Sequence, residues 1–161
     1  MTLQLEIKVE NQAEISRALK SRKLVKEPLL RFLRQAGFLV EAAAKKRATV
    51  DTGRMRASIT SNVDPRALTT TIAPTVDYAA HVEFGTAPHF PPPSALQPWA
   101  GRHGFPSGMA GAMLVARAIA RRGTKARPFM APALEASTGP INKLLNAMAL
   151  KIEQVWGRVG R

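Results

Sequence analysis

The sequence has no cysteine, few aromatic residues, few acidic residues and no long apolar run. The absence of cysteine excludes disulfide bonds, thiol chemistry and any cysteine-ligated metal site. Because no uninterrupted apolar stretch reaches about 18 residues, no membrane-spanning helix is predicted. The first ten residues alternate apolar with polar side chains, which is unlike a signal peptide. These absences leave a globular chain of 161 residues, long enough to bury a core.

The scarcity of acids produces an unusual charge balance. Lys and Arg number 24 against 11 Asp and Glu, so the formal net charge is +13. Such an imbalance favours an acidic partner, whether nucleic acid, an acidic protein surface or anionic lipid. Aromatic residues are only 6% of the chain, and no signature of a DNA-binding motif is present. The basic residues form two clusters in the sequence: Lys45, Lys46, Arg47, Arg54 and Arg56, and Arg117, Arg121, Arg122, Lys125 and Arg127.

Hydrophobic periodicity predicts the first part of the fold. Apolar residues alternate from residue 3 to residue 9, which is typical of a half-buried strand. Asn11 and Glu14 resemble a capping box, so we predict a helix over about residues 12–48, bent or broken near Pro28. One face of this helix is apolar and consists of Leu29, Leu33, Ala36, Val40 and Ala43.

The middle of the chain reads as a small antiparallel sheet. Gly53 suits a turn out of the helix. Two alternating stretches, residues 59–63 and 68–72, flank the turn signal Asp64-Pro65-Arg66 and predict a β-hairpin. A further short extended element is predicted at residues 76–78, after Pro74.

The second half begins with a change of composition. Residues 86–111 hold many of the 12 prolines and 11 glycines, which predicts a long loop with at most a short helix over residues 94–102. Residues 112–122 are predicted to be helical, with Gly123 as the stop. After Gly139-Pro140 a C-terminal helix is predicted from the apolar stripe of Ile141, Leu144, Leu145, Met148, Ile152, Val155 and Trp156.

Together these elements predict a single α+β domain over residues 1–161. In this domain a small antiparallel β-sheet packs against a long N-terminal helix and a C-terminal helix. Residues 86–127 form a long Pro/Gly-rich insertion of extended loop and short helix. Phe32, Phe38 and Trp156 lie at helical spacings and are predicted to be core residues. Phe90, Trp99 and Phe105 lie in the Pro/Gly-rich segment, where a partner or another copy of the chain would cover them.

Tests for catalytic and metal chemistry find little. His81 and Glu83 form the H-x-E pair that some zinc deaminases use, but those enzymes also need cysteine ligands. The spacing of His81, His89 and His103 matches no standard zinc pattern. No serine has the G-x-S-x-G context, and no phosphate loop or dinucleotide fingerprint is present. The sequence therefore predicts neither an enzyme, nor a metal site, nor a cofactor.

Three separated phrases of the sequence resemble one known family. They are V-D-T-G-R-M-R-A-S-I (50–59), Y-A-A-H-V-E-F-G-T (78–86) and A-R-P-F-M-A-P-A-L-E (126–135). In this order and spacing they are similar to the neck or tail-component proteins of long-tailed double-stranded DNA bacteriophages, which act in head-to-tail joining or tail completion. The likeness spans about residues 28–156. The segment after Thr86 looks like a lengthened version of a shorter region.

The resemblance implies a structural virion protein without a cofactor or a membrane. Such subunits would form a homo-oligomeric ring, six-fold in symmetry, at the head–tail interface of the virion after assembly in the host cytoplasm. The implied partners are the head-completion or connector protein and the tail terminator or tail tube protein, with viral DNA passing close by. Tyr78, Val82 and Phe84 would be packing residues, and His81 and Glu83 would make polar contacts within or between subunits.

The resemblance and the exposed aromatic residues also define candidate surfaces. The predicted subunit or partner interface consists of Tyr78, His81, Glu83, Phe84, Phe90, Trp99, Phe105, Arg121, Arg122, Arg127 and Phe129. The residues predicted to face DNA or an acidic partner are Lys45, Lys46, Arg47, Arg54 and Arg56. Two alternatives stay open from the residues themselves. One is a basic nucleic-acid-binding protein of the packaging or nucleoid type, and the other is a hydrolase that uses His81 or Glu83.

Overall fold

Two long helices and a small sheet form the main layers of the structure, a computed structural model that describes residues 3–8 and 23–159. The first long helix packs on the sheet, and the second packs along the first. In chain order the elements are β1 (Leu5–Lys8), α1 (Lys23–Arg47), α2 (Arg54–Ser58), β2 (Ile59–Asp64), β3 (Thr69–Pro74), α3 (Ala79–Phe84), α4 (Pro93–Arg102), α5 (Met109–Arg122) and α6 (Met130–Val159). The predicted α+β class is confirmed.

The sheet is antiparallel, with the strand order β1-β3-β2. The central position of β3 places Ile72 between Leu5 on one side and Ser61 on the other. The predicted hairpin is confirmed, because β2 and β3 pair from Ile59 opposite Pro74 to Asp64 opposite Thr69. The Asp64 carboxylate holds the turn by accepting hydrogen bonds from the backbone N–H groups of residues 66 and 67, at 2.7 and 3.0 Å.

Helix α1 buries the predicted face. Leu29, Leu33, Ala36 and Val40 are all buried, and the helix continues through Pro28. A Cβ atom on Gly37 would lie only 2.6 Å from Thr70 Oγ1, so the glycine lets the helix approach the sheet closely. The predicted capping box at residues 11–14 and the start of the helix near residue 12 lie outside the described residues.

Three predictions about local structure are wrong. Residues 76–78 form a turn that leads into α3 and not an extended element. Phe38 is 67% exposed, because a spacing of six residues from the buried Phe32 places it well around the helix from that side chain. Helix α6 begins at Met130 and runs through Gly139-Pro140, where the C-terminal helix was predicted to begin. Of Trp156, the structure describes the helical backbone and not the side chain.

The buried apolar side chains form two adjoining clusters. One lies between the N-terminal half of α1 and the hairpin turn and includes Phe32, Leu33 and Leu68. The other lies between the C-terminal half of α1, the sheet and the start of α6. It consists of Val40, Ala44, Ala48, Met55, Ile59, Ile72, Ala79, Phe129, Met130 and Ala133.

Candidate assembly surfaces

A buried carboxylate holds the start of the last helix. Glu83, on α3, is only 3% exposed. Its Oε2 accepts hydrogen bonds from the backbone N–H groups of Phe129 at 2.6 Å and Met130 at 3.0 Å, and its Oε1 accepts one from Ala131 at 3.1 Å. The first N–H groups of a helix have no partners within the helix and carry partial positive charge. Glu83 therefore caps α6 from a distant part of the chain and fixes where that helix begins.

Thr86 and Thr124 form a second contact, which joins the segment after α3 to the segment before α6. The backbone N–H of Thr86 donates to Thr124 O at 3.1 Å, and the N–H of Thr124 donates to Thr86 O at 3.2 Å. The two hydroxyl groups lie 3.0 Å apart. Glycines flank the bridge, since a Cβ on Gly85 would lie 2.4 Å from Thr124 O and one on Gly123 would lie 1.9 Å from Thr86 O. Both glycines also have positive φ, so the bridge requires them for two independent reasons.

The three phrases of the sequence meet in one place. Met55 from the first phrase, Ala79 from the second and Phe129 from the third belong to the same buried cluster. The second and third phrases are also joined by the Glu83 cap and by the N–H of Arg127, which donates to Val82 O at 2.8 Å. The phrases therefore specify a structural junction. In this junction the Glu83 carboxylate, which a catalytic interpretation would need, already accepts hydrogen bonds from the start of α6.

The junction separates two regions that we name the arm and the body. The arm consists of residues 86–124, and the body is the rest of the described chain. In the arm, α4 and α5 pack on each other, whereas neither packs more than marginally on another helix or strand of the described chain. The arm therefore contains two helices, connected by loop. Its interpretation as an insertion stays a prediction.

One ion pair ties the arm to the body. Arg102, at the end of α4, donates to both carboxylate oxygens of Asp51, at 2.9 and 2.5 Å. The hydrogen bond from Arg102 holds the pKa of Asp51 below its ordinary value, and the same contact raises the pKa of Arg102. Asp51 opens the V-D-T-G sequence of the first phrase, so this phrase also contacts the arm.

The arm leaves large apolar side chains exposed. Trp99 and Phe105 are 38% and 37% exposed, and their ring centroids lie 6.0 Å apart. The ring of His103 stacks on Trp99 at 4.0 Å between centroids. Phe90, Met109 and Leu114 are also exposed. A self-packed pair of helices with this much exposed apolar surface is typical of a surface that a partner covers.

A groove runs beside these aromatic rings and has a volume of about 440 Å³. Trp99 lines it from α4, Phe105 lines it from the loop after α4, and Val115 and Ile119 line it from α5. Arg122 and Lys125, which directly follows the arm, supply two cations, and Ala118, Gly123 and Thr124 complete the lining. The groove combines an apolar surface with positive charge. It therefore suits a surface that presents an apolar side chain next to a carboxylate.

The structure does not bring all predicted interface residues to the surface. Glu83 and Phe129 are buried inside the chain, with 3% and 0% exposed, so their side chains offer no surface to a neighbour. The polar contacts of Glu83 lie within the chain, which is one of the two alternatives that the resemblance implies. Val82 packs against the buried cluster. The remaining members of the set are exposed in the isolated chain: Tyr78, His81, Phe84, Phe90, Trp99, Phe105, Arg121, Arg122 and Arg127.

The first basic cluster divides into two kinds of residue. Lys45 pairs with Glu41 at 2.6 Å, and Glu41 also accepts hydrogen bonds from the backbone N–H and hydroxyl of Ser61, at 2.8 and 2.6 Å. Burial raises the pKa of Glu41, but the hydrogen bonds from Lys45 and Ser61 outweigh it, so this pKa lies below its ordinary value. The other four residues are exposed and pair with no carboxylate of the described chain: Lys46, Arg47, Arg54 and Arg56.

The contacts of several junction residues were not predicted from the sequence. Thr86, Thr124 and the Asp51–Arg102 pair were not singled out. A signal for the bridge was available, since the dipeptide Gly-Thr occurs at 85–86 and again at 123–124. The ion pair had no such signal, because its partners are 51 positions apart.

No group of three or more His, Cys, Asp or Glu side chains in residues 3–8 and 23–159 is placed to hold a metal ion. No helix in this part of the chain combines the length and the apolar composition needed to cross a membrane.

The fold and its junction define an α+β domain with an exposed basic arm. Residues 13–85 match the model of a family described as "Bacteriophage HK97-gp10, putative tail-component". This match confirms the resemblance to a phage neck or tail-component family. It supports a structural role as a virion tail component. The matched residues include the first phrase and all but the last residue of the second, and the arm lies beyond them. Comparisons with curated proteins and with solved structures found no match.

Proposed function

We propose that this chain is a structural subunit of a ring at the head–tail junction, or neck, of a tailed bacteriophage. In this role it joins the head connector to the tail and leaves a central passage for DNA. Its neighbours would be a head-completion or connector protein on one side and a tail terminator or tail tube protein on the other. The family match over residues 13–85 supports the virion role, and it is independent of the arm.

One structural observation supports the assembly role above all others. The body has two buried apolar clusters of its own, yet the arm exposes five large apolar side chains that the body does not cover. Burial of apolar surface is a main driving force for association between subunits. An arm that contacts little of its own body and leaves apolar surface free is suited to a neighbouring subunit.

The charge of the arm and of the residues that directly follow it supports the same proposal. No acidic residue occurs from residue 84 to residue 134, and this stretch contains Arg117, Arg121, Arg122, Lys125 and Arg127. None of these five cations has a carboxylate partner within the described chain. Unpaired surface cations of this density complement acidic groups on neighbouring proteins or the phosphates of passing DNA.

The test of the virion role is electron microscopy of particles made with this reading frame silenced by an early stop. We expect DNA-filled heads and separate tails that fail to join. Normally joined particles would contradict the neck role.

A second test addresses the arm with charge reversal. Arg121→Glu with Arg122→Glu is expected to prevent joining without unfolding the subunit, because both side chains are exposed. The matched control is Arg31→Glu with Arg34→Glu, which removes the same charge from the exposed side of α1. Equal titres of joined particles for both variants would reject the role of the arm.

Salt dependence distinguishes this proposal from a nucleic-acid-binding protein. A protein that binds DNA through many phosphate contacts loses affinity by about 10³–10⁵-fold between 50 and 200 mM salt. The proposed neck subunit is expected to bind duplex DNA weakly and without sequence preference, and to associate with protein partners. Tight, steeply salt-dependent DNA binding by the free subunit would favour the alternative.

A further inference from the structure

A corner of the body carries the chemical complement of the groove. Asp77 and Tyr78 are adjacent in the turn that precedes α3, and both are exposed. Tyr78 is 42% exposed and is the only tyrosine in the chain. The Asp77 carboxylate makes no ion pair or side-chain hydrogen bond within the described residues. The corner therefore presents an aromatic ring next to a free negative charge.

The groove of the arm presents the opposite pattern. Its apolar part, from Trp99, Phe105, Val115 and Ile119, can accept a ring, and Arg122 and Lys125 stand beside it. Aromatic rings pack favourably against one another, and a carboxylate pairs with a neighbouring cation. Each half of such a contact would satisfy a group that the isolated chain leaves exposed.

The other acids of the described chain fit the groove less well. Asp51, Asp64 and Glu41 already hold hydrogen-bond or ion-pair partners, and Glu83 is buried against α6. Of the exposed acids without such partners, Asp77 is the one whose immediate neighbour is an exposed aromatic residue. Among the described residues, the corner formed by Asp77 and Tyr78 is therefore the surface whose chemistry matches the groove.

The two surfaces are distinct in each chain. The corner lies directly before the six-residue helix α3, whereas Thr86, just after that helix, is bridged to Thr124 of the groove. Neither Asp77 nor Tyr78 lines the groove of its own chain. A contact between two different surfaces of identical subunits is head-to-tail, so it continues from subunit to subunit and closes a ring when the rotation permits.

We infer that the Asp77–Tyr78 corner of one subunit docks in the arm groove of the next copy. In this contact the Tyr78 ring lies on the apolar part of the groove, and the Asp77 carboxylate pairs with Arg122 or Lys125. The inference rests on the proposed ring and names the surfaces that would build it.

Photocrosslinking of the full chain tests this contact. Tyr78→p-benzoylphenylalanine keeps an aromatic ring at the corner and forms a covalent bond with nearby C–H groups on irradiation. We expect dimers and larger ladders whose cross-linked peptides, identified by mass spectrometry, lie within residues 99–125. The control is Phe38→p-benzoylphenylalanine on the exposed side of α1, which is expected not to cross-link to these peptides.

Charge reversal makes the test specific. Asp77→Arg and Arg122→Glu are each expected to reduce the yield of cross-links about tenfold, because each opposes like charges across the contact. When one chain carries both changes, opposite charges again face each other across the contact, so the yield of cross-links is expected to recover. Arg31→Glu changes the charge of an exposed residue on α1 by the same amount as Arg122→Glu. It is expected to leave the yield of cross-links unchanged.

Three outcomes would overturn the inference: no cross-links between chains, cross-links scattered as in the Phe38 control, or a yield unaffected by both charge reversals. The proposed neck role is judged separately by the silenced reading frame. Joined particles that require the chain, together with an absence of corner-to-groove cross-links, would retain the function and reject this contact.

Discussion

The body and the arm obtain their structure in different ways. The body buries two apolar clusters between two helices and a sheet, and it contains the phrases that resemble a phage family, except for their residue Thr86. The arm packs one helix on another and exposes aromatic rings. The Thr86–Thr124 bridge closes its base, and the Asp51–Arg102 pair ties it to the body. The difference indicates that the body and its junction account for most of the buried core, whereas the arm contributes exposed surface.

The largest expected effect comes from breaking the junction that the body depends on. Glu83→Ala would leave the N–H groups of Phe129, Met130 and Ala131 without their acceptor at the buried start of α6. We expect a loss of about 3–5 kcal/mol in the free energy of unfolding. Urea denaturation followed by circular dichroism measures it.

The matched control for this change is Glu135→Ala, which removes an exposed carboxylate from the same helix. It is expected to change stability by less than about 0.5 kcal/mol. Equal losses for the two variants would show that Glu83 is not a structural cap.

The next effect concerns the glycines at the base of the arm. Gly123→Ala combines strain at a φ of 68° with a Cβ placed 1.9 Å from Thr86 O. Gly104→Ala, at a φ of 76°, meets no atom within 4 Å and is the control for backbone strain alone. We expect about 1–2 kcal/mol for Gly104→Ala and more than this for Gly123→Ala. Thermal unfolding measures both, and identical losses would argue against a tight bridge.

A smaller effect is expected from acid, and it acts on the body. The pKa of Glu41 is depressed, so its contacts stabilise the folded chain fully above its ordinary pKa of about 4.5. That contribution is lost as the pH falls through the lower pKa of the folded state. Glu41→Gln is therefore expected to show a shallower loss of stability below pH 4.5 in urea titrations. An unchanged slope would mean that other carboxylates control acid unfolding.

The smallest effect is expected at the exposed ion pair between arm and body. Asp51→Asn removes the charge that Arg102 contacts, but both side chains are partly in water, where ion pairs contribute little. We expect no measurable shift of the global unfolding midpoint and faster amide hydrogen exchange in α4 alone. Faster exchange in the sheet as well would show that arm and body are coupled more tightly than their contacts suggest.

Local patterns were sufficient to predict most of the body. The alternation of apolar residues over 59–63 and 68–72 predicted the hairpin. The apolar stripe of Leu29, Leu33 and Val40 predicted the buried face of α1. These features depend on neighbours in the sequence, so periodicity and turn chemistry reveal them. For the Pro/Gly-rich segment the sequence predicted at most a short helix over residues 94–102, and the structure has a helix over Pro93–Arg102.

Features that depend on distant residues could not be predicted in this way. Gly139-Pro140 is a valid local signal for a helix start, but Glu83, 46 positions before Phe129, places the start at Met130 instead. Phe38 was assigned to the core from its spacing alone, although a helix buries only the sides that its partners cover. The exposed arm residues were predicted from composition. The inferred contact between the Asp77–Tyr78 corner and the groove could be proposed only once the fold was known.

The bridge at the base of the arm has a consequence for how such chains diversify. It holds Thr86 and Thr124, 38 positions apart in the sequence, within hydrogen-bond distance of each other. A segment whose ends already meet can be lengthened, trimmed or exchanged at low entropic cost, since doubling a loop costs only about 0.6 kcal/mol. We therefore expect that the arm can change in length with little effect on how the core of the body packs.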